Sequence, residues 1–151
     1  MKGALGGWKV GVLLTLESGP PFTVTMTSNT TNAFSAGPLR PNLLRDASLG
    51  SERTINRWFD PAAFSAPVQF AFGNSPRNGL RSAPIQTTDV TLAKSFRITE
   101  RWGADVRGEL YNLLNHANFD IPGHAFGAAD FGVVSSARSA RTAQLALRVR
   151  F

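Results

Sequence analysis

The sequence predicts an all-β fold, an antiparallel meander of about four long strands. Apolar and polar residues alternate with a period of two near the start of the chain and in three segments of its last third, as on the two faces of strands. The 151 residues include 14 Gly, 9 Pro and 11 Phe, which is typical of strands joined by turns rather than of helices. No cysteine is present, which excludes a disulfide framework, a thiolate metal site and a cysteine nucleophile.

The first predicted strand covers residues 8–27 and is bent. Alternation runs from Trp8 to Glu17, is interrupted at Gly19-Pro20-Pro21, and resumes as far as Thr27. Because Gly and Pro break a ladder locally, the pattern indicates a bend or bulge inside one long strand.

A long loop is predicted for residues 28–86, which are rich in Asn, Ser, Pro, Gly and Arg and have no sustained period. The aromatic clusters Trp58-Phe59 and Phe70-Ala71-Phe72 indicate that parts of this loop fold back onto other residues. Its basic residues outnumber its acidic ones, and guanidinium groups pair with phosphates, so the expected partner is either nucleic acid or, at a bacterial surface, lipopolysaccharide, and charge alone does not choose between the two. These basic residues are Arg40, Arg45, Arg53, Arg57, Arg77 and Arg81.

The last third predicts three more strands, at about residues 87–96, 101–112 and 141–151. A tight turn at 97–100 joins the first two, and a loop at 113–140 precedes the last. In the middle strand Asp105, Arg107 and Glu109 form a charged row opposite an apolar face.

Two environments produce such strands: a soluble β-sandwich of carbohydrate-binding or structural type, and a transmembrane β-barrel. Strands of about 10 residues match a tilted membrane crossing. Aromatic residues at the strand ends suit an interfacial girdle, so the barrel is favoured, with the charged row facing its lumen. The girdle residues are Trp8, Phe96, Trp102 and Phe151.

Several motifs, in order, resemble the C-terminal part of the barrel of Oar-like TonB-dependent receptors and transporters. The motifs are Gly7-Trp8-Lys9-Val10-Gly11-Val12, Ser18-Gly19-Pro20-Pro21-Phe22-Thr23, Trp58-Phe59-Asp60-Pro61-Ala62-Ala63-Phe64, Phe72-Gly73-Asn74-Ser75-Pro76-Arg77-Asn78-Gly79-Leu80-Arg81, Asp89-Val90-Thr91-Leu92-Ala93-Lys94-Ser95-Phe96 and Glu109-Leu110-Tyr111-Asn112-Leu113-Leu114-Asn115-His116-Ala117-Asn118-Phe119. The resemblance spans about Gly7 to Phe151, and the order of the motifs is more specific than any one of them.

This resemblance implies that residues 1–151 are a C-terminal fragment of a barrel in the outer membrane of a Gram-negative bacterium, inactive alone. The plug domain and the segment that engages TonB belong to other parts of such a receptor, and the transported substrate stays open. The turn at 97–100 is expected in the periplasm and both loops outside the cell. The resemblance also implies that the barrel assembly machinery reads the last strand, whose signal residues are Leu145, Leu147, Val149 and Phe151.

Catalytic chemistry is not indicated by any motif, so neither enzyme activity nor a cofactor is expected. His116, Asp120 and His124 lie within nine residues, but their spacing matches no known metal site. Asp105, Arg107 and Glu109 fit a lumen-facing row better than an acid/base set. Nucleic acid is not an expected partner, because a basic β domain of that kind would cluster its Arg on one strand face among exposed aromatics, whereas Arg is scattered here across loops and lumen-facing positions.

Overall fold

The computed structural model describes residues 6–31 and 37–151, so residues 32–36 of the predicted loop lie outside the described residues. Besides strands, the described part contains two 3-10 helices, Gly50–Glu52 and Pro61–Ala63. The chain forms two compact units: a sheet unit of residues up to 17, 85–118 and 139–151, and a loop unit of residues 18–84 and 119–138. The strands are β1 (Trp8–Glu17), β2 (Pro21–Phe22), β3 (Thr25–Met26), β4 (Asn42–Leu43), β5 (Phe64–Ser65), β6 (Leu80–Arg81), β7 (Ile85–Arg97), β8 (Gly103–Tyr111), β9 (Ala125–Phe126) and β10 (Thr142–Arg150).

Four long strands form the sheet unit in the order β1-β7-β8-β10, with every neighbouring pair antiparallel. Since the spatial order follows the chain order, the sheet is a meander, and the predicted all-β fold class is confirmed. Directly opposed residues share a face of the sheet, as Val10 does with Leu92. The register therefore aligns the apolar positions of neighbouring strands on one face of the sheet and their polar positions on the other.

The predicted strand 8–27 is wrong in its second half, because β1 ends at Glu17. Gly19 lies so close to another backbone segment that a Cβ there would stand 1.9 Å from the carbonyl oxygen of Ser82. Ser82 also donates its N–H to the carbonyl of Pro20 at 3.1 Å. This backbone contact directs the chain into β2, which pairs with β6 in the loop unit rather than continuing the ladder of β1.

The loop unit has a hydrophobic core of its own, although the sequence predicted a loop over most of its length. Phe59 is buried at its centre, with ring centroids 5.0 Å from Phe131, 5.8 Å from Phe64 and 6.0 Å from Phe22. Short strand pairs surround the core: β2 with β6, β4 with β5, and the parallel pair β3 with β9.

The two aromatic clusters of the predicted loop differ in burial. Trp58 and Phe59 pack in the core of the loop unit, as the sequence predicted. Phe70 and Phe72 have exposed side chains that pack in no core, although the N–H of Phe70 donates to the carbonyl of Thr30 at 2.8 Å. Among residues 6–31 and 37–151, no helix combines the length and the apolar character needed to cross a bilayer.

Candidate functional site

The polar face of the sheet unit carries the predicted charged row. Asp105, Arg107 and Glu109 alternate along β8, and their cross-strand neighbours Ser95, Ala93 and Thr91 on β7 share the same face. Arg107 forms an ion pair with Glu109, and Arg150 of β10 forms another with Asp105 at 3.0 Å. The row is therefore an internally paired network rather than three free charges.

The register adds basic residues from other strands to this face. Arg148 lies directly opposite Asp105, and Arg150 and Arg97 both lie opposite Gly103. Lys9 lies in one cross-strand row with Ala93, Arg107 and Ala146. The polar face is concave here, with an open volume of about 850 Å³. The sequence shows each residue's face within its own strand, but only the strand order and register bring them together.

The sequence argument against nucleic acid rested on Arg being scattered over loops and lumen-facing strand positions, and the register gathers four of the lumen-facing ones on this face. Arg97, Arg107, Arg148 and Arg150 lie on one face of three adjacent strands. The residues of the predicted girdle lie on the opposite face, so base-stacking side chains are not interleaved with these Arg. The absence of a nucleic-acid partner stays a prediction.

The apolar face of the sheet carries exposed side chains on all four strands, although several on β7 and β8 are half-buried. On β10 the predicted signal residues Leu145, Leu147 and Val149 share this face with Ala143, and Phe151 follows them with 92% of its surface exposed. A soluble sandwich would bury such a face beneath a second layer. Apart from Ile85, the buried hydrophobic residues of the described part all lie in the loop unit.

The four predicted girdle residues lie at the end of the sheet that carries the turn between β7 and β8. Trp102 and Phe151 have ring centroids 5.5 Å apart. Trp8 lies opposite Lys94, whose ammonium stands 4.4 Å from the Trp8 ring centroid and 5.1 Å from that of Phe96. The sequence reading missed Lys94, a cation on the apolar face whose contacts with both rings are of the cation–π type.

The run from Glu109 to Phe119, the most recognisable motif of the resemblance, has a structural role. Asn112 accepts the N–H of His116 at 3.0 Å and donates to its carbonyl at 2.9 Å. Asn118 makes the same pair of bonds with Gln86, accepting its N–H at 2.7 Å and donating to its carbonyl at 2.9 Å. Both Asn side chains are buried and satisfy backbone groups where the strands end.

Asp60 organises part of the loop unit. Its carboxylate accepts hydrogen bonds from Arg57 at 2.9 Å and Arg45 at 2.6 Å, and it also caps the short helix Pro61–Ala63 through the N–H of Ala62. The bonds from Arg57, and then those from Arg45, hold the pKa of Asp60 below its usual value.

Internal bonds also engage three more of the six Arg residues expected to face lipopolysaccharide. Arg40 donates to Ser75, Arg53 to Gly50 and Arg81 to Gly19, in each case to a backbone carbonyl. Most of this basic set therefore supports the loop unit itself.

The three candidate metal ligands do not share a site. The backbone of His116 takes part in the Asn112 bonds of the sheet unit, whereas Asp120 and His124 belong to the loop unit. Asp120 accepts the hydroxyl of Ser136 at 2.8 Å, and the His124 ring packs near Phe22 with centroids 6.0 Å apart. No group of three His, Cys, Asp or Glu side chains suited to a metal ion occurs within the described ranges.

Comparison with known protein families identifies the kind of domain to which this sheet belongs. The family described as outer membrane beta barrel domain matches residues 1–144. The chain belongs to this family. No curated protein and no solved structure matches the chain.

As an outer-membrane barrel domain, the protein is located in the outer membrane of the cell. Side chains alternate between lipid and lumen along every strand of such barrels, so contact of the exposed apolar face with lipid tails is expected and stays a prediction. The residues predicted for the girdle and the assembly signal lie on the apolar face, and the charged row lies on the polar face, as these roles require. Each of the three roles stays a prediction.

Proposed function

We propose that this barrel domain forms four adjacent wall strands of a TonB-dependent transporter of the Oar-like kind. The observation that carries the proposal is the sheet itself, a four-stranded meander with an exposed apolar face and a charged concave face. The outer edges of β1 and β10 are unpaired among the described residues. Four strands cannot enclose a lumen in lipid, so further strands must complete the barrel.

The ordered motifs support the finer identity. The run from Gly7 leads into β1, the Asp89–Phe96 run lies in β7, and the 109–119 run forms the end of β8 and the Asn bonds that follow it. These three motifs of the resemblance thus correspond to distinct parts of the sheet unit.

The test uses the protein purified from outer membranes in detergent. Its mass is measured first, and its binding to an isolated TonB periplasmic domain is measured next. We expect a mass far above 16.3 kDa and saturable TonB binding, because the plug and the TonB-binding segment belong to the same polypeptide. A barrel that assembles from 16.3 kDa chains, or one that does not bind TonB, would contradict the proposal.

Of the six Arg residues that the sequence indicated, we propose lipopolysaccharide contact for Arg77 alone. Arg77 is exposed, and among the described residues it makes no hydrogen bond or ion pair. Replacing Arg77 with Gln should reduce retention on immobilised lipopolysaccharide, whereas Gln69→Ala should not. Equal retention of both variants would remove Arg77 as a contact.

A further inference from the structure

The polar face of the sheet unit has a marked separation of charge along the strands. Toward the turn between β7 and β8 it carries Arg97, Arg150, Arg148, Arg107 and Lys9. Toward the opposite end it carries Asp89 and Glu17, and Thr residues of β1, β7 and β10 stand beside them. We name the five residues at the turn end the basic patch.

The acidic neighbours do not neutralise the basic patch. Asp105 pairs with Arg150, and Glu109 pairs with Arg107. Among the described residues Lys9, Arg97 and Arg148 make no ion pair. Five cations against two carboxylates leave a net charge of +3 on this part of the face.

The shape of the face leaves room for a ligand. In the row Lys9, Ala93, Arg107 and Ala146, small side chains alternate with long cationic ones. The open concavity of about 850 Å³ is lined by members of the patch from β1, β8 and β10. Arg148 and Arg150 are two residues apart on one strand, about 7 Å, so their guanidinium groups can contact two anionic groups of one molecule.

We propose that the basic patch is a binding site for a small solute that carries at least two phosphate or carboxylate groups. The inference rests on the proposed function, because it assigns the substrate class of the same barrel. Guanidinium groups bind both kinds of anion through paired hydrogen bonds. A charged concave wall with low-dielectric surroundings also concentrates counter-ions of the opposite sign.

Calorimetric titration of the protein purified from outer membranes in detergent tests this site, with citrate and inorganic pyrophosphate as probes and maltose as the neutral control. We expect saturable binding of both anions, weakening as salt is raised, and no binding of maltose. Arg148→Gln should weaken anion binding about tenfold or more, because it removes a charge-assisted pair of hydrogen bonds. Arg148→Lys should lose less anion affinity, because lysine keeps the positive charge and lacks only the planar guanidinium group with its paired donors.

Arg138→Gln is the matched control, because it removes the same charge from an exposed position in the loop unit. It should leave anion affinity within about twofold, and Arg107→Gln should behave like Arg148→Gln. Absence of anion binding, equal affinity of the Arg148→Gln and parent proteins, or an equal loss in Arg138→Gln would overturn the site. If an acidic polypeptide covered the patch, the titration would show no anion binding. The titration does not involve TonB, so its failure leaves the transporter proposal to its own test.

Discussion

The side chain of Asn118 replaces a neighbouring strand at the beginning of β7. Its carboxamide is buried and pairs with both backbone groups of Gln86, just as a strand residue would. Asn is suited to this role because one short side chain carries both a donor and an acceptor. The sequence showed the run that contains Asn118, but not this bond, whose partners are 32 residues apart.

Replacing Asn118 with Ala should destabilise the domain by about 1 to 2 kcal/mol, because it leaves two partly buried backbone groups of Gln86 unpaired. The measurement is the temperature at which the folded band is lost in SDS gels of heated samples. Gln69→Ala, which removes an exposed carboxamide, should leave that temperature unchanged. Equal shifts in the two variants would show that Asn118 has no special role.

Asp60 should make the stability of the loop unit depend on acid pH. Its pKa is lowered in the folded state by Arg57 and Arg45, so its contribution is present above the unfolded value of about 3.9. That contribution is lost as pH falls through the lower, folded pKa. Asp60→Asn should therefore lower the free energy of unfolding in urea at pH 7. It should also make that free energy fall less steeply below about pH 4.

Trp58 provides the signal for this measurement, because its indole donates to the Arg81 carbonyl within the loop unit at 2.8 Å. Its fluorescence can be isolated in a Trp8→Phe, Trp102→Phe background. Glu52→Gln is the control, since Glu52 makes no ion pair among the described residues. A parent and an Asp60→Asn protein with parallel pH profiles would contradict the assignment.

At the scale of the element, the strands were predictable because their alternation is local. The three later strands were placed within about two residues of their observed ends. The first was extended too far because residues 22–27 continue the alternation of β1, while the contact that redirects the chain lies at Ser82. Short pairs such as β3 with β9 carry no periodic signal and could not be predicted.

The last strand permits a test of the predicted assembly signal against simple packing. Phe151 packs near Trp102, so a packing role predicts that Phe151→Ala and Trp102→Ala lower heat stability alike. An assembly signal predicts instead that deletion of Phe151 reduces outer-membrane levels and causes periplasmic degradation, while Trp102→Ala leaves those levels normal. Fractionation and immunoblotting measure both. Normal levels after deletion of Phe151 would leave only the packing role.

For the whole molecule, the strand ends predict one topology. The chain leaves β1 and β8 at the same end of the sheet, and re-enters β7 and β10 there, so both long connections start and finish on one side. The β7–β8 turn lies on the other side. In outer-membrane barrels the long connections face the exterior and the short turns face the periplasm.

Trypsin added to intact cells should therefore cut within the connections 18–84 or 112–141, and cut at Arg101 in the β7–β8 turn only after the outer membrane is permeabilised. An Arg101→Gln variant identifies the turn fragment by its disappearance. Cleavage at Arg101 in intact cells would reverse the topology. The sequence predicted which connections lie on which side, but not the buried core of the loop unit, because its aromatic residues come from distant segments.

The division of the loop unit between two chain segments determines when it can fold. The N–H of Thr25 donates to the carbonyl of His124, and Phe59 packs against Phe131, so the core needs residues far apart in sequence. The β7–β8 hairpin closes over only a few residues, whereas these contacts close long loops and form slowly. During biogenesis, the Phe131 side of this core stays open until residues 119–138 arrive, and incompletely buried aromatic side chains favour aggregation and proteolysis during that interval.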